Sequence, residues 1–265
     1  MAYILPDTEL LKIKVEKEEP NRATFIIEPL TPGFGHTIGN ALRRVLLSKI
    51  EGAAITQVKI DGMGHEFSAL PNVKEDSVEL LLNLKGVKLS YQGEEPALLT
   101  LNVKGPKTVL AGHFGKNPLI EIANPEHPIV LLDKGGELKI EATVEKGRGF
   151  LTTEARAEEK IPLGTILLDA YFSPVVLVNS IVEDTRVGRA TNYEKIVLEV
   201  ETNGTKNPRE CLKEAMEILT EHVILLSNLV GEIAPLSSLE DKDKESKKIR
   251  KSREKKVSKP KKAVK

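Results

Sequence analysis

The feature that most constrains the fold is an amphipathic segment at residues 33–50, GFGHTIGNALRRVLLSKI, in which a glycine-punctuated turn leads into a helical pattern. At 3.6 residues per turn, one stripe of this helix is apolar, as expected of a helix that packs on a core. The stripe consists of Ile38, Ala41, Leu42, Val45 and Leu46. The sequence therefore predicts that this helix is built into the core of a larger domain.

The opposite side of the helix brings Arg43, Arg44 and Leu47 together, because positions three and four apart are neighbours on a helix surface. One interpretation is a solvated face with a single exposed leucine, since scattered apolar residues are common on protein surfaces. The other interpretation is a contact surface for a second protein. The helix taken alone favours the solvated face.

Strand patterns dominate the first two-thirds of the chain. Leu11, Ile13 and Val15 alternate with charged residues, which predicts a strand with one buried face, and residues 23–30 predict the second strand of a hairpin. Further strands are predicted at residues 55–60, 87–91, 98–103, 129–132, 138–145, 175–182 and 195–201. Strands and helices do not alternate as βαβ units, so the pattern predicts an α+β fold and argues against a nucleotide-binding, doubly wound sheet.

Two local patterns add detail to this organisation. Gly135 and Gly136 predict a hairpin between the strands on either side of them. A short helix is predicted near residues 77–85. Its apolar residues are Val78, Leu81 and Leu82.

The closing helix has a well-marked start, with Asn207 as the N-cap and Pro208 at the first helical position. Its residues at alternating steps of three and four form a seam typical of helix–helix packing. They are Leu212, Ala215, Leu219, His222, Leu226 and Leu229. Residues 223–226 are apolar all round, which indicates burial on more than one side. A helix internal to a monomer would explain this, but a homodimer is the favoured interpretation.

Motifs for catalysis, metal binding or phosphate binding are not found in the sequence. Gly33 and Gly35 are not followed by a phosphate-loop pattern, and His65-Glu66 lacks the second histidine of a zinc-peptidase motif. The carboxylates have no orienting histidine or lysine at a useful spacing. We therefore predict no catalytic residue, no metal, no cofactor and no small-molecule substrate, which makes a stand-alone enzyme the weakest hypothesis.

Cysteine content and hydropathy bear on the location of the protein. Cys211 is the only cysteine, which excludes an internal disulfide framework and a cysteine-based zinc site. No apolar run approaches the roughly 20 residues of a membrane span, and no basic region followed by an apolar core marks a signal peptide. The expectation is a soluble cytoplasmic protein that has no contact with a membrane.

The formal net charge of zero hides an asymmetry between body and tail. Residues 232–265 contain 13 basic and 6 acidic residues, a net charge of +7, which leaves −7 on residues 1–231. The tail is poor in large apolar residues and is predicted to be disordered. It is either simply solvated or a salt-sensitive tether for nucleic acid through residues 247–265. An independent nucleic-acid-binding protein is therefore an alternative hypothesis, although the acidic body argues against it.

Several motifs closely resemble one family. Residues 34–44 read FGHTIGNALRR, and further matches follow in the same order along the chain. These are IDG at 60–62 with HEFS at 65–68, VKED at 73–76, LNLKG at 82–86, KGRGF at 146–150 and EVETNGT at 199–205. Together they resemble the α subunit of bacterial DNA-directed RNA polymerase, from about residue 8 to about residue 231. The resemblance implies a non-catalytic subunit of a nucleotidyltransferase complex.

The resemblance also implies contacts with the large subunits of the polymerase. It assigns the arginine pair and the leucine of the first helix to the β subunit, and the stretch 169–175 to the β′ subunit. The candidate residues for these contacts are Arg43, Arg44, Leu47, Lys85, Ser173, Pro174, Val175 and Arg189. At Arg189-Ala190 the sequence departs from the Gln-Arg usual in the family, so the role of Arg189 is open.

A symmetric dimer built by the opening and closing helices is implied as well. The dimerisation domain would comprise residues 1–50 and 176–231, a sheet with two long helices, and residues 51–175 would form an inserted, mostly-β domain. The candidate dimer residues are Phe34, Ile38, Leu42, Leu212, Ala215, Leu219, His222, Leu226 and Leu229. Family members usually continue into a second, DNA-binding domain, for which we find no counterpart in this sequence. The expected role is a nucleoid-associated assembly platform that reaches DNA through the complex.

Overall fold

The structure is a computed structural model that describes residues 11–156, 162–188 and 190–232. Within these ranges the elements are, in chain order, β1 (Lys12–Glu19), β2 (Arg22–Leu30), α1 (Phe34–Ser48), β3 (Glu51–Ile60), α2 (Ser77–Lys85), β4 (Leu89–Tyr91), β5 (Ala97–Lys104), β6 (Lys107–Leu110), β7 (Ile120–Ile122), β8 (Pro128–Leu132), β9 (Glu137–Arg148), β10 (Phe150–Leu151), β11 (Thr165–Leu167), β12 (Ala170–Tyr171), β13 (Val175–Val187), β14 (Ala190–Thr202) and α3 (Pro208–Glu232). The predicted α+β class is confirmed.

One hydrophobic core lies on a four-stranded antiparallel sheet of strand order β1-β2-β14-β13. The chain ends of the described region meet here, since β2 pairs with β14 although more than 160 residues separate them. The core is filled from the sheet by alternate residues and from the helices by the buried sides of α1 and α3. Its helical members are Leu42, Leu46, Cys211, Leu212 and Ala215. Burial raises the pKa of the Cys211 thiol to about 11.

Helix α1 approaches β13 and β14 through two glycines one turn apart. A Cβ on Gly39 would lie 2.6 Å from Ser180 Oγ, and a Cβ on Gly35 would lie 2.7 Å from Val182 Cγ1. The buried residues of α1 are Gly35, Gly39, Leu42 and Leu46. The predicted stripe is thus rotated: Ile38, Ala41 and Val45 are only half-buried, because the glycines face the sheet where no side chain fits.

The N-terminus of α1 is capped by a carboxylate from β14. Glu194 accepts hydrogen bonds at 2.7 Å from the backbone N–H groups of Gly33 and Gly35, one to each carboxylate oxygen. These N–H groups have no partner inside the helix, and the positive end of the helix dipole favours a negative charge. The N–H of Gly33 is the main cause that lowers the pKa of Glu194, and that of Gly35 adds to it.

A second core lies on a six-stranded sheet between residues 51 and 168. Its main path has the order β5-β9-β3-β4-β7, and β11 pairs with β3. Helix α2 contributes Leu80, Leu81 and Leu84 to this core. The two separate cores correspond to the two predicted domains in position, but the domain boundaries themselves stay a prediction.

Three sequence expectations about local structure are corrected. Gly135-Gly136 does not join a hairpin, because β8 pairs with β6, whereas β9 pairs with β3 and β5. Ile13 is 51% exposed, since β1 lies at the edge of its sheet, and of its predicted apolar face only Val15 packs against the core. On α2, Val78 and Leu82 are exposed, because the buried stripe runs through Leu80, Leu81 and Leu84.

Gly35→Ala tests the close approach of α1. The new methyl group would lie 2.6 Å from Glu194 Oε2 and 2.7 Å from Val182 Cγ1. We expect the overpacking to destabilise the folded chain by about 1–3 kcal/mol. This loss exceeds the stabilisation of up to about 1 kcal/mol from the higher helix propensity of alanine. Urea unfolding should therefore show a lower free energy of unfolding for Gly35→Ala than for the wild type. The control is Gly64→Ala, whose Cβ would meet nothing within 4 Å, and equal stability of the two variants would contradict the packing argument.

Glu194→Gln tests the cap through its pH dependence. Because the folded-state pKa lies below the ordinary value of 4.5, the stabilisation by the charged carboxylate is complete above about pH 4.5. It is lost as the pH falls through the folded pKa. We expect the variant to melt a few degrees below the wild type at pH 7 and the difference to shrink on acidification. A difference in Tm that stayed constant down to pH 3 would refute a role for the carboxylate charge.

Candidate functional site

The three predicted contact residues of α1 have different environments. Arg43 is exposed, but its Nε donates a hydrogen bond to the carbonyl oxygen of Val178 at 3.2 Å. Arg44 is exposed, and its side chain forms no hydrogen bond or ion pair with any residue in the described ranges. The Arg43 guanidinium is thus held against β13, whereas that of Arg44 is available to another molecule.

The sequence predicted that Leu47 points away from the core, but the structure places it differently. It is half-buried and packs against the core of the four-stranded sheet. The reason is the rotation of α1 that its glycines impose, which brings this side of the helix closer to the sheet. Part of Leu47 remains accessible, so the leucine borders the surface around Arg44 rather than forming its centre.

Lys85, at the end of α2, forms an ion pair with Asp169. The distance between Lys85 Nζ and Asp169 Oδ2 is 3.1 Å, and Asp169 Oδ1 accepts a hydrogen bond from the N–H of Thr153 at 2.9 Å. The hydrogen bond from Thr153 is the main cause that lowers the pKa of Asp169, followed by Lys85. Both side chains are about one-third exposed, so solvent screens the pair. Lys85 therefore attaches α2 to the segment 169–175.

The predicted contact residues Ser173, Pro174 and Val175 are all buried within the chain. Ser173 is 1% exposed, and its Oγ lies 3.3 Å from both the N and the O of Val175. These three residues have almost no accessible surface within the single chain. The motif that they belong to is a turn that leads into β13, and its contact with a large subunit stays a prediction.

The turn is anchored by its neighbour Phe172, which is 4% exposed. A Cβ on Gly52 would lie 1.9 Å from the Phe172 carbonyl oxygen, and a Cβ on Gly147 would lie 2.7 Å from its ring. Two glycines on paired strands, β3 and β9, thus make room for the backbone and the ring. The segment before β13 is consequently fixed against the six-stranded sheet.

Of the predicted dimer residues, Leu42, Leu212 and Ala215 are buried within the single chain, and their place in a dimer stays a prediction. They are 1%, 5% and 0% exposed, because they fill the core beneath the four-stranded sheet of a single chain. Phe34 is 41% exposed, and Ile38 and Leu219 are half-buried. The latter three therefore keep surface that a second copy could cover.

The part of α3 from residue 220 onward carries a run of exposed apolar side chains. Val223, Ile224, Leu225, Leu226, Leu229 and Val230 are between 53% and 66% exposed. His222, also a predicted dimer residue, lies on the same stretch. Apolar exposure all round one helix is unusual for a protein surface and is typical of a segment that a partner covers.

Some predicted features lie outside the described residues. Arg189 is one, and the basic tail, including residues 247–265, is another. In the ranges that are described, no cluster of three or more histidine, cysteine or acidic residues could hold a metal ion. Among the helices of these ranges, none is long and apolar enough to cross a membrane.

Sequence motifs contain the two exposed aromatic residues Phe150 and Tyr171 but do not show that they are neighbours. They are 58% and 49% exposed and lie directly opposite each other in the short pair β10–β12. Twenty-one positions separate them in the chain, so only the strand register brings them together. A motif search could have noted Phe150 at the end of KGRGF but not its neighbour.

Comparison with known proteins identifies the family. Residues 58–173 match the model of the RNA polymerase Rpb3/RpoA insert domain. The chain is 44% identical over 226 residues to the DNA-directed RNA polymerase subunit alpha of Symbiobacterium thermophilum, covering 85% of this chain and 72% of that protein. The subunit alpha of Moorella thermoacetica is 40% identical over 240 residues, which are 91% of this chain and 77% of the relative.

A third relative, the subunit alpha of Roseiflexus castenholzii, is 45% identical over 217 residues, which are 82% of this chain and 67% of the relative. The insert-domain match lies inside the inserted domain predicted at residues 51–175. The resemblance noted in the sequence motifs is thus confirmed over most of the chain. This chain belongs to the family of bacterial DNA-directed RNA polymerase α subunits.

Proposed function

We propose that this α subunit forms a homodimer that binds the β and β′ subunits and contributes no catalytic group to RNA synthesis. In this role it acts in the cytoplasm and reaches DNA as part of the assembled polymerase. The observation that carries the proposal is the Arg44 guanidinium, exposed on α1 beside the half-buried Leu47 and without a partner in the described ranges. An arginine fork binds a carboxylate in a bidentate manner and orients the partner.

The two arginines of α1 are assigned different tasks in this proposal. Arg43 holds α1 to β13 through the Val178 carbonyl and so fixes the direction of the helix. Arg44 projects from the helix so fixed and meets the large subunit. The ion pair of Lys85 with Asp169 affects the contact with the large subunit only indirectly, because it positions the segment that leads into β13.

The exposed apolar residues 223–230 support the dimer. Burial of each of these side chains would be favourable by roughly 25 cal/mol for each Å² of apolar surface removed from water. A second copy of the same helix supplies a matching apolar surface, and a two-fold axis makes the two contacts equivalent. Phe34, Ile38 and Leu219 keep accessible surface of their own and remain further candidate dimer residues.

Arg44→Ala tests the contact with the β subunit. Because the side chain forms no hydrogen bond or ion pair within the described part of the chain that would be lost, we expect unchanged Tm and unchanged dimer mass. Capture of co-expressed β subunit should weaken by about tenfold or more, as for a central interface arginine. Lys49→Ala, which removes an exposed cation one residue past the end of α1, serves as control. Loss of the dimer in Arg44→Ala would contradict the assignment.

Leu226→Asp tests the dimer. A charge placed in a buried apolar interface costs several kcal/mol unless it is paired, so the full chain should sediment as a monomer with an unchanged circular dichroism spectrum. Lys213→Ala, at an exposed position of the same helix, should stay dimeric. If sedimentation velocity found a dimer for Leu226→Asp over the whole micromolar range, the exposed run of α3 would have another purpose.

A further inference from the structure

We propose that a cavity at the junction of the two cores is a binding site for one inorganic phosphate ion, which connects the two parts of the chain. The cavity has a volume of about 110 Å³. Pockets for drug-sized ligands measure roughly 300–1,000 Å³, so the ligand of this cavity is small. The inference does not depend on the proposed function, because the site lies within one chain and involves no other subunit.

Both cores contribute to the wall of the cavity. From the six-stranded sheet come residues 51–53 of β3, residues 89–91 of β4 and Lys146 of β9. From the side of the four-stranded sheet come Thr205 and Lys206, which lie between β14 and α3. A ligand in the cavity therefore contacts segments that are far apart in the sequence and belong to different sheets.

Two lysine ammonium groups and one hydroxyl group supply the donors that an oxyanion needs. A lysine ammonium has three donor hydrogens and binds phosphate as a point charge. Lys206 Nζ donates to Glu214 Oε2 at 2.9 Å, whereas Lys146 Nζ lies 3.7 Å from Glu51 Oε1, too far for a hydrogen bond. The hydroxyl of Ser90, half-buried in the same wall, forms no hydrogen bond within the described ranges. The donors that remain converge on the cavity.

Lys146 is held in place without being neutralised. Its Nζ lies 5.9 Å from the centre of the Tyr91 ring, which is a cation–π distance. The Tyr91 hydroxyl donates a hydrogen bond to the carbonyl oxygen of Glu95, and Tyr91 is buried, so the ring itself is fixed. Because a ring carries no net charge, the ammonium group above it can still pair with an anion.

Lys206 is fixed from the other side of the junction by Glu214 of α3. One carboxylate oxygen of Glu214 accepts the hydrogen bond from Lys206, and the other accepts one from the backbone N–H of Glu51 at 3.1 Å. This carboxylate thus joins the first residue of β3 to the segment before α3. Because it holds both walls in place before a ligand arrives, binding costs less conformational entropy.

The charges at the junction favour one further anion. Three cations and two carboxylates lie within ion-pair distance of one another, which leaves a net charge of +1. They are Lys146, Arg148 and Lys206 with Glu51 and Glu214. The side chains of the two lysines that line the cavity are 28% and 33% exposed, so an ion from solvent can reach them. Charge-assisted hydrogen bonds from these groups are of the strong kind.

Isothermal titration calorimetry of the full-length chain tests the site, with sodium phosphate compared with sodium chloride at equal ionic strength. We expect one phosphate bound per chain and no saturable heat with chloride. Ser90→Ala should raise the Kd by about tenfold, as for loss of one hydrogen bond to a charged group. Its Tm should not change, because this hydroxyl has no hydrogen bond to lose within the described part of the chain.

Lys146→Met should raise the Kd by about tenfold or more, because it removes a charge from the wall of the cavity. The matched control is Lys59→Met, since Lys59 is an exposed lysine of β3 that does not line the cavity. If Lys146→Met melts at a lower temperature than the wild type, Ser90→Ala alone decides.

Amide hydrogen exchange tests whether the ion connects the two cores. Phosphate should slow the exchange of backbone N–H groups in both residues 51–53 and residues 205–206 of the wild type. The same phosphate concentration should protect these groups less in Ser90→Ala. Protection confined to one of the two segments would contradict a bridging ion.

The remaining outcomes also decide. Wild-type affinity in both Ser90→Ala and Lys146→Met would overturn the proposal and would leave the two lysines as partners of carboxylates alone. An equal loss of affinity in Lys59→Met, or several phosphate ions bound per chain, would overturn it as well, because phosphate would then bind to basic groups in general. Failure of the chain to capture a large subunit would bear on the proposed function and not on this site.

Discussion

The contact of α1 with β13 and β14 is the interaction on which the rest of the structure depends. Gly35 and Gly39 allow the helix to lie closer to the sheet than any side chain would permit. Glu194 fixes the first turn of the helix by accepting hydrogen bonds from two backbone N–H groups. Close packing sets the rotation of the helix about its axis. That rotation decides that Leu42 and Leu46 are buried, that Leu47 is half covered and that Arg44 is exposed.

Two features of the surface follow from this arrangement. The end of α1 comes beside Gly149, so strands that belong to the six-stranded sheet meet a helix that belongs to the other core. The anchoring of Phe172 between Gly52 and Gly147 fixes the same junction from the opposite side. The two cores are therefore in direct contact at this junction.

The sequence predicted the parts of the fold that depend on local periodicity. The first hairpin, the three helices, the cap at Asn207 and the long strands are all present, and Asn207 Oδ1 accepts from the N–H of Arg209 at 2.9 Å. Periodicity could not show that β8 pairs with β6, because strand pairing is decided by contacts far apart in the chain. For the same reason Phe150 was not connected with Tyr171. The burial of Ser173, Pro174 and Val175 was missed because a motif indicates relatedness and carries no information on exposure.

The hydrogen bond between Arg43 and the Val178 carbonyl has a consequence for solubility during folding and storage. β13 is the terminal strand of its sheet and runs for 13 residues, so its outer side is a template on which the strand of another molecule could add. A guanidinium fixed over one of its carbonyl groups removes an acceptor from that template and places a positive charge along the edge. The neighbouring arginines of α1 thus differ in role: Arg43 is held against the edge strand, whereas the Arg44 side chain has no hydrogen bond or ion pair within the described ranges.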